Sequence, residues 1–179
     1  MLWAGVPSPM GELGVAVDAT GVCAVHFGGP PPSRAATYEM WAGSARPHRY
    51  RSSQTRALGL LAVAVQQMNE YLDGVRREFA LPLTVLGGTD FERAVWEQIA
   101  GIGYGEMRTY GSIAAALGDP AAARAVGTAC NHNPLPIVVP CHRVVGAGGK
   151  LVGFGGGLHR KRFLLELEAR VTVEAAFGA

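Results

Sequence analysis

A chain of 179 residues is long enough for one compact domain or two small ones, each with an apolar core. With 49% hydrophobic residues, 17% charged residues and a mean hydropathy of +0.16, the composition excludes a disordered or tail-like protein. A formal net charge of +2 and a pI near 8.6 exclude a strongly basic protein, so any contact with nucleic acid must come from a local patch.

The chain starts MLWAGVPSPMGELG, without the basic region and long apolar core of a secretory leader. No apolar run approaches the roughly 20 residues of a membrane span. The expectation is a soluble, cytoplasmic protein with no membrane partner. From Leu13 to Phe27 short apolar runs flank Asp18-Ala19-Thr20-Gly21, which predicts a β-hairpin. Cys23 lies inside its second strand and faces away from His26 by strand parity, so a metal pair is not expected there. Residues Gly28 to Arg51, rich in Gly, Pro, Arg and Ser, read as loop. From Gln54 to Asp73, Leu58, Leu61, Val65, Met68 and Leu72 recur at helical spacing, and Gly74 marks the end of that helix. Phe79, Leu81, Leu83 and Val85 alternate as in a strand, and Pro82 places that strand at an edge. The first half is a small α/β unit. Gly87-Gly88 is the expected link, which divides the chain into domains at 1–87 and 88–179.

In the second half Thr89 and Glu92 spell a capping box, and Phe91, Val95 and Ile99 follow on one helical face. Gly101 to Gly105 breaks that helix, and a short one runs from about Thr109 to Leu117. After Gly118, Asp119-Pro120 gives an N-cap and a first-turn proline. The next helix ends before Asn133-Pro134, because the residue before a proline is pushed out of the α region. Two short helices on a tight turn form a helix-turn-helix candidate, although plain helix packing gives the same pattern. The second helix is built from small residues, Ala121, Ala122, Ala123, Ala125, Gly127 and Thr128, with Arg124 as its one long side chain. Such a face suits close approach to a DNA groove or to a neighbouring helix.

Leu135 to Val139 reads as a buried strand running into Pro140-Cys141-His142-Arg143-Val144-Val145. Basic neighbours lower a thiol pKa, and the thiolate is the nucleophile. A reactive Cys141 and a buried structural one both fit this pattern. The three cysteines, Cys23, Cys130 and Cys141, are an odd set with no zinc spacing, which points to reduced thiols and no metal. Cys130 reads as packing.

The segments TYGSIAAALGDPAAARAVGTACNHNP and LPIVVPCHRVVGAGGKLVGFGGGLHRKRFLLELEA, from Thr109 to Ala169, resemble the C-terminal domain of the O6-alkylguanine-DNA alkyltransferases. The PCHRV motif is specific, and SPMGEL and GTDFERAVW are similar to the starts of that family's two domains. The resemblance implies a ribonuclease-H-like N-terminal domain and a mainly helical C-terminal domain with a helix-turn-helix. It implies a monomer, without cofactor, acting on double-stranded DNA that carries O6-alkylguanine. The damaged nucleotide is flipped out, and its alkyl group passes irreversibly to Cys141; O4-alkylthymine is an implied second substrate. By the same resemblance His142 activates Cys141 through a water and Glu168 holds the imidazole, spacing favouring Glu168 over Glu166. Tyr110 donates to the departing guanine and Asn133 locks the turn before the acceptor. Arg124 fills the gap left by the flipped nucleotide, with Thr109, Tyr110, Ala125 and Gly127 also against DNA. Val144, Phe154, Gly155 and Gly156 line the base pocket. Some members carry serine where this chain has Gly155, and some bind zinc through an N-terminal Cys and His set that is lacking here. The rivals are a non-catalytic lesion binder of the same fold, whose members lack the cysteine, and a thiol hydrolase or peroxidase built on Cys141 and His142.

Overall fold

Two apolar runs, β2 (Leu13–Val17) and β3 (Val22–Phe27), pair antiparallel across the expected turn. Asp18 closes that turn: its Oδ1 accepts from the amides of Thr20 at 2.7 Å and Gly21 at 2.9 Å. The structure is a computed structural model that describes residues 1–31 and 48–178, with side chains from residue 54 onward in the second stretch. A further strand, β1 (Leu2–Val6), pairs antiparallel with β2 and sets Trp3 opposite Ala16 and Val6 opposite Leu13. It was not expected, because Ala4 and Gly5 dilute its apolar alternation. One sheet face buries Trp3, Ala16 and Cys23 together.

Helix α1 (His48–Leu72) packs against the strands β1 and β2. It begins six residues before the expected Gln54, inside what reads as loop; residues 32–47 of that loop lie outside the described residues. Its inward stripe is Ala57, Leu61, Ala64, Met68 and Tyr71. Leu58 is 45% exposed and Val65 half-buried, so the helix is rotated toward its alanines, which allow close approach to the sheet. Burying each large apolar side chain of the stripe contributes about 1.5–3 kcal/mol. Gly74, at φ 77°, ends the helix: Val75 N–H reaches the Glu70 carbonyl and Gly74 N–H that of Tyr71. The strand expected over 79–85 is reduced to one bridge, in which Val22 N–H donates to Pro82 and Thr84 N–H to Val22. Pro82 has no N–H to extend the ladder, and Leu83 and Val85 stay exposed.

The chain divides into two compact units, Met1–Leu86 and Gly87–Ala179. The second opens with α2 (Asp90–Ala100), whose capping box is complete in both directions. Val95, Trp96 and Ile99 are buried, while Phe91, expected on that face, is 36% exposed. Strand β4 (Arg108–Thr109) pairs in parallel with β5 (Val144–Val145). The Thr109 side chain caps α3 (Tyr110–Ala116) by accepting from Ser112 N–H. Gly118, at φ 86°, turns the chain tightly, and Asp119 caps a 3-10 turn, Pro120–Ala122, that leads into α4 (Ala123–Asn131). Val126, Ala129 and Cys130 of α4 point inward. The chain then passes through Cys141–Arg143 to β5 and to α5 (Leu158–Phe177), which buries Lys161, Leu164, Leu167, Glu168 and Val171. Among the described residues, no helix is long and apolar enough to cross a membrane.

Candidate active site

The segment expected as a strand, Leu135–Val139, is a closed turn. Val139 N–H returns to the Leu135 carbonyl at 2.8 Å, and Ile137 takes a φ of 76°. That conformation is strained for a β-branched residue, and the packing that buries Ile137 sustains it. An apolar run does not tell a buried turn from a buried strand, because burial satisfies either. Asn133 holds the turn at both ends: its Oδ1 accepts from Leu135 N–H at 3.0 Å and its Nδ2 donates to the Val139 carbonyl at 2.7 Å.

Two residues on, Cys141–Arg143 forms a 3-10 turn. Side chains there step by about 120°, not by the alternation of a strand, so all three can enter the interior. Cys141 is 4% exposed, His142 0% and Arg143 7%. Burial pushes the Cys141 thiol up to about 11, against the opposing pull of an Asn133 hydrogen bond and the Lys161 charge. The lowering expected from basic neighbours is outweighed by burial, so the resting group is a thiol that must lose its proton during reaction.

The Glu168 carboxylate is fully buried and collects donors from three directions, whereas Glu166 is exposed. Its Oε1 stands 2.9 Å from His142 Nε2 and 2.8 Å from Arg143 Nη2, and its Oε2 accepts from Gly105 N–H at 3.0 Å. Arg143 Nη1 donates to the Ile102 carbonyl, and its guanidinium carbon lies 5.6 Å from the Tyr104 ring centre. Burial holds the His142 pKa below the usual imidazole value; Glu168 pulls it up, and Arg143 and Lys161 push it down. His142 is thus a neutral imidazole with one nitrogen committed to Glu168.

Lys161 escaped the sequence reading because HRKR looks like a solvated helix start, yet it is fully buried. Its Nζ donates to the Val144 carbonyl at 2.6 Å, to those of Val152 and Gly153 at 3.3 Å, and to Tyr110 Oη at 3.2 Å. The Tyr110 hydroxyl in turn donates to the Val152 carbonyl at 3.0 Å. Burial raises the Tyr110 phenol to about 12 and lowers the Lys161 ammonium. Cys130 is buried on the inner face of α4, as a packing residue would be, and burial pushes its thiol up to about 12. Cys23, by contrast, is buried in the other unit with its sulfur on the Ala16 carbonyl.

Around this centre Val144 is fully buried and Gly156 buried, while Phe154 is half-buried with its ring centre 6.0 Å from Lys161 Nζ. A Cβ on Gly155 would meet Asn131 O at 3.6 Å, an ordinary contact. On the outer face of α4, Arg124, Ala125 and Thr128 are exposed. A Cβ on Gly127 would lie 3.8 Å from the Tyr110 ring, likewise an ordinary contact, which places that ring beside α4. Among the described residues, no three His, Cys, Asp or Glu side chains stand as a metal cluster. A hollow of about 850 Å³ between β1 and α1, lined by Trp3, Leu61 and Val65, lies in the other unit and holds none of these groups.

A buried thiol, a neutral imidazole fixed by a carboxylate and a phenol beside an ammonium can together take a proton from sulfur and give one to a leaving group. Family models described as "6-O-methylguanine DNA methyltransferase, ribonuclease-like domain" and "6-O-methylguanine DNA methyltransferase, DNA binding domain" match residues 1–85 and 90–170. A Mycobacterium bovis protein named methylated-DNA–protein-cysteine methyltransferase is 54% identical over 118 residues, 66% of this chain and 71% of its own. The crystal structure of Mycobacterium tuberculosis OGT in complex with DNA superposes with a TM-score of 0.74 at 37% identity, covering 96% of this chain and 94% of that one. The O6-methylguanine-DNA methyltransferase of Pyrococcus kodakaraensis gives a TM-score of 0.54 at 28% identity, covering 88% and 90%.

Proposed function

The chain belongs to the 6-O-methylguanine DNA methyltransferase family, and from that premise we propose that it repairs alkylated double-stranded DNA by moving the alkyl group from guanine O6 to Cys141, once per molecule. O4-alkylthymine is a second substrate of the same chemistry. The unit beginning near residue 88 carries both DNA contact and acceptor. The protein works in the cytoplasm as a monomer, with its thiols reduced and without a cofactor.

The reaction is a displacement at the alkyl carbon. The S–C bond forms as the C–O6 bond breaks, and the electron pair leaves with guanine. The Cys141 proton passes through a water to His142, whose imidazolium Glu168 stabilises, in the manner of a hydrolase triad. Tyr110 gives its phenol proton to the departing base, and the Lys161 ammonium steadies the phenolate. O6 lies within the base stack, so the nucleotide must rotate out, at a few kcal/mol. Arg124, on the small-residue face with Thr109, Ala125 and Gly127, fills the space it leaves. Val144, Phe154, Gly155 and Gly156 receive the base, and Asn133 keeps Cys141 in register.

The observation that carries this reading is the buried His142–Glu168 pair at 2.9 Å, immediately after a buried cysteine, in a chain of this family. A thioether has no acyl group for water to attack, so the protein stops after one transfer, where a thiol hydrolase or peroxidase turns over. The test is the intact mass after mixing with duplex DNA containing O6-methylguanine. One added methyl per chain is expected, mapped by digestion to Cys141, with Cys141→Ser binding DNA and gaining none. Repeated turnover, ester hydrolysis, or a methyl on Cys23 or Cys130 would overturn it.

A further inference from the structure

We infer that Arg143 is a positioning residue that keeps His142 ready to accept the Cys141 proton, by sharing the Glu168 carboxylate with it. The inference rests on the alkyl-transfer reading and assigns the proton balance of that site.

A buried carboxylate beside a single imidazole draws a proton onto the ring, because an ion pair is the better arrangement where water is excluded. His142 would then be charged before substrate arrives and unable to take a proton from sulfur. Here the carboxylate is already satisfied. Arg143 approaches Glu168 with Nε at 3.1 Å from Oε1 and 3.0 Å from Oε2, and with Nη2 at 2.8 Å from Oε1. Gly105 N–H adds a neutral donor to Oε2. The guanidinium is itself fixed by the Ile102 carbonyl and the Tyr104 ring, so it cannot swing to solvent.

The resting cluster is therefore neutral imidazole, carboxylate and guanidinium, with no net charge. When Cys141 attacks, its proton lands on His142, and the S–C bond forms as the alkyl C–O6 bond breaks. The cluster then carries one positive charge beside the sulfur that is losing its negative one. The charged groups acting on His142 are Glu168 and Lys161 from α5 and Arg143 from its own turn. Burial is the largest influence keeping the ring neutral; the two cations add to it, and Glu168 alone opposes them. Sequence offers no hint of this, since an arginine directly after a histidine reads as one more basic neighbour of the thiol.

The test is single-turnover methyl transfer from O6-methylguanine duplex DNA, measured from mildly acidic to alkaline pH. Arg143→Gln leaves Glu168 to His142 alone, so the imidazolium persists to higher pH. Transfer should be about tenfold slower than wild type near neutrality, with the gap closing as pH rises. Arg143→Lys, which keeps a cation without the fork, should show a smaller gap that closes in the same way; it serves if the glutamine variant fails to fold. The double variant Arg143→Gln/Glu168→Gln removes the anion as well, so its deficit should not vary with pH. A wild-type-to-variant ratio constant across pH for Arg143→Gln and Arg143→Lys would overturn the inference. The His142 imidazole resonances, followed by NMR in protein without DNA, separate this inference from the transfer reading. An upward move of their titration in Arg143→Lys upholds the role of Arg143 even if no methyl reaches Cys141. Unmoved resonances would overturn it even if transfer is intact.

Discussion

The Cys141 pocket and the outer face of α4 are built on opposite terms. In the pocket, Glu168, Arg143 and Lys161 are charged groups taken out of water and each matched to partners within about 3.3 Å. On the helix face, Arg124 is exposed between Ala121, Ala125 and Thr128. In the pocket the His142–Glu168–Arg143 contacts are already made in the free protein. The helix face leaves its one long basic side chain in solvent. The two surfaces thus differ in how far their polar groups are already paired within the free protein, and Tyr110 is half-buried.

That contrast breaks most visibly at Glu168. Glu168→Gln leaves the Arg143 charge buried without its anion, which should lower stability by about 3–5 kcal/mol in denaturant unfolding and also slow transfer. A loss within about 0.5 kcal/mol would place this residue with the exposed groups instead. Tyr110→Phe tests the boundary. Removing one donor to the leaving base should slow single-turnover transfer by about 2–4 kcal/mol of barrier while duplex affinity stays the same. If the melting temperature falls and the rate of the folded fraction is kept, Tyr110 is only a packing residue. The smallest and most selective effect belongs to Arg124→Ala. Repair in duplex DNA should slow by about tenfold, and reaction with the free alkylated base, which needs no flipping, should change by less than about twofold. Equal loss on both substrates would remove the distinction between the face and the pocket.

What the sequence made legible follows the same division. Local signals worked: the Thr89–Glu92 box, the Asp18 turn, the Gly74 cap and the Asp119-Pro120 start all depend on residues within a few positions of one another. Signals that depend on distant partners did not. Nothing local separates a buried Lys161 from its neighbours, half-buried Arg160 and exposed Arg162, because the carbonyls that hold it come from 144 and from 152 and 153. The Leu135–Val139 turn was hidden because apolar character records burial and not backbone direction. Strand β1 was hidden because it is held by β2, not by its own alternation. Motif spacing named Cys141, His142 and Glu168 as a set, but resemblance supplied that link, and the resting protonation of the thiol was legible only from its burial.

Glu92 has a second attachment whose effect reaches beyond capping. Its Oε2 accepts from the Thr89 amide at the start of α2, and its Oε1 is paired with His132 at the end of α4. Helix ends are ordinarily the first backbone to open in native-state hydrogen exchange, each fraying independently of the rest. Joined through one carboxylate, the first turn of α2 and the last turn of α4 should exchange their amides together, and independent exchange of the two would show the link to carry nothing. The Trp96 indole N–H on the Ala129 carbonyl adds a second strut between the same helices, inside the first. Since α4 runs directly into Asn133, this link also ties the start of α2 to the segment that leads into the acceptor turn.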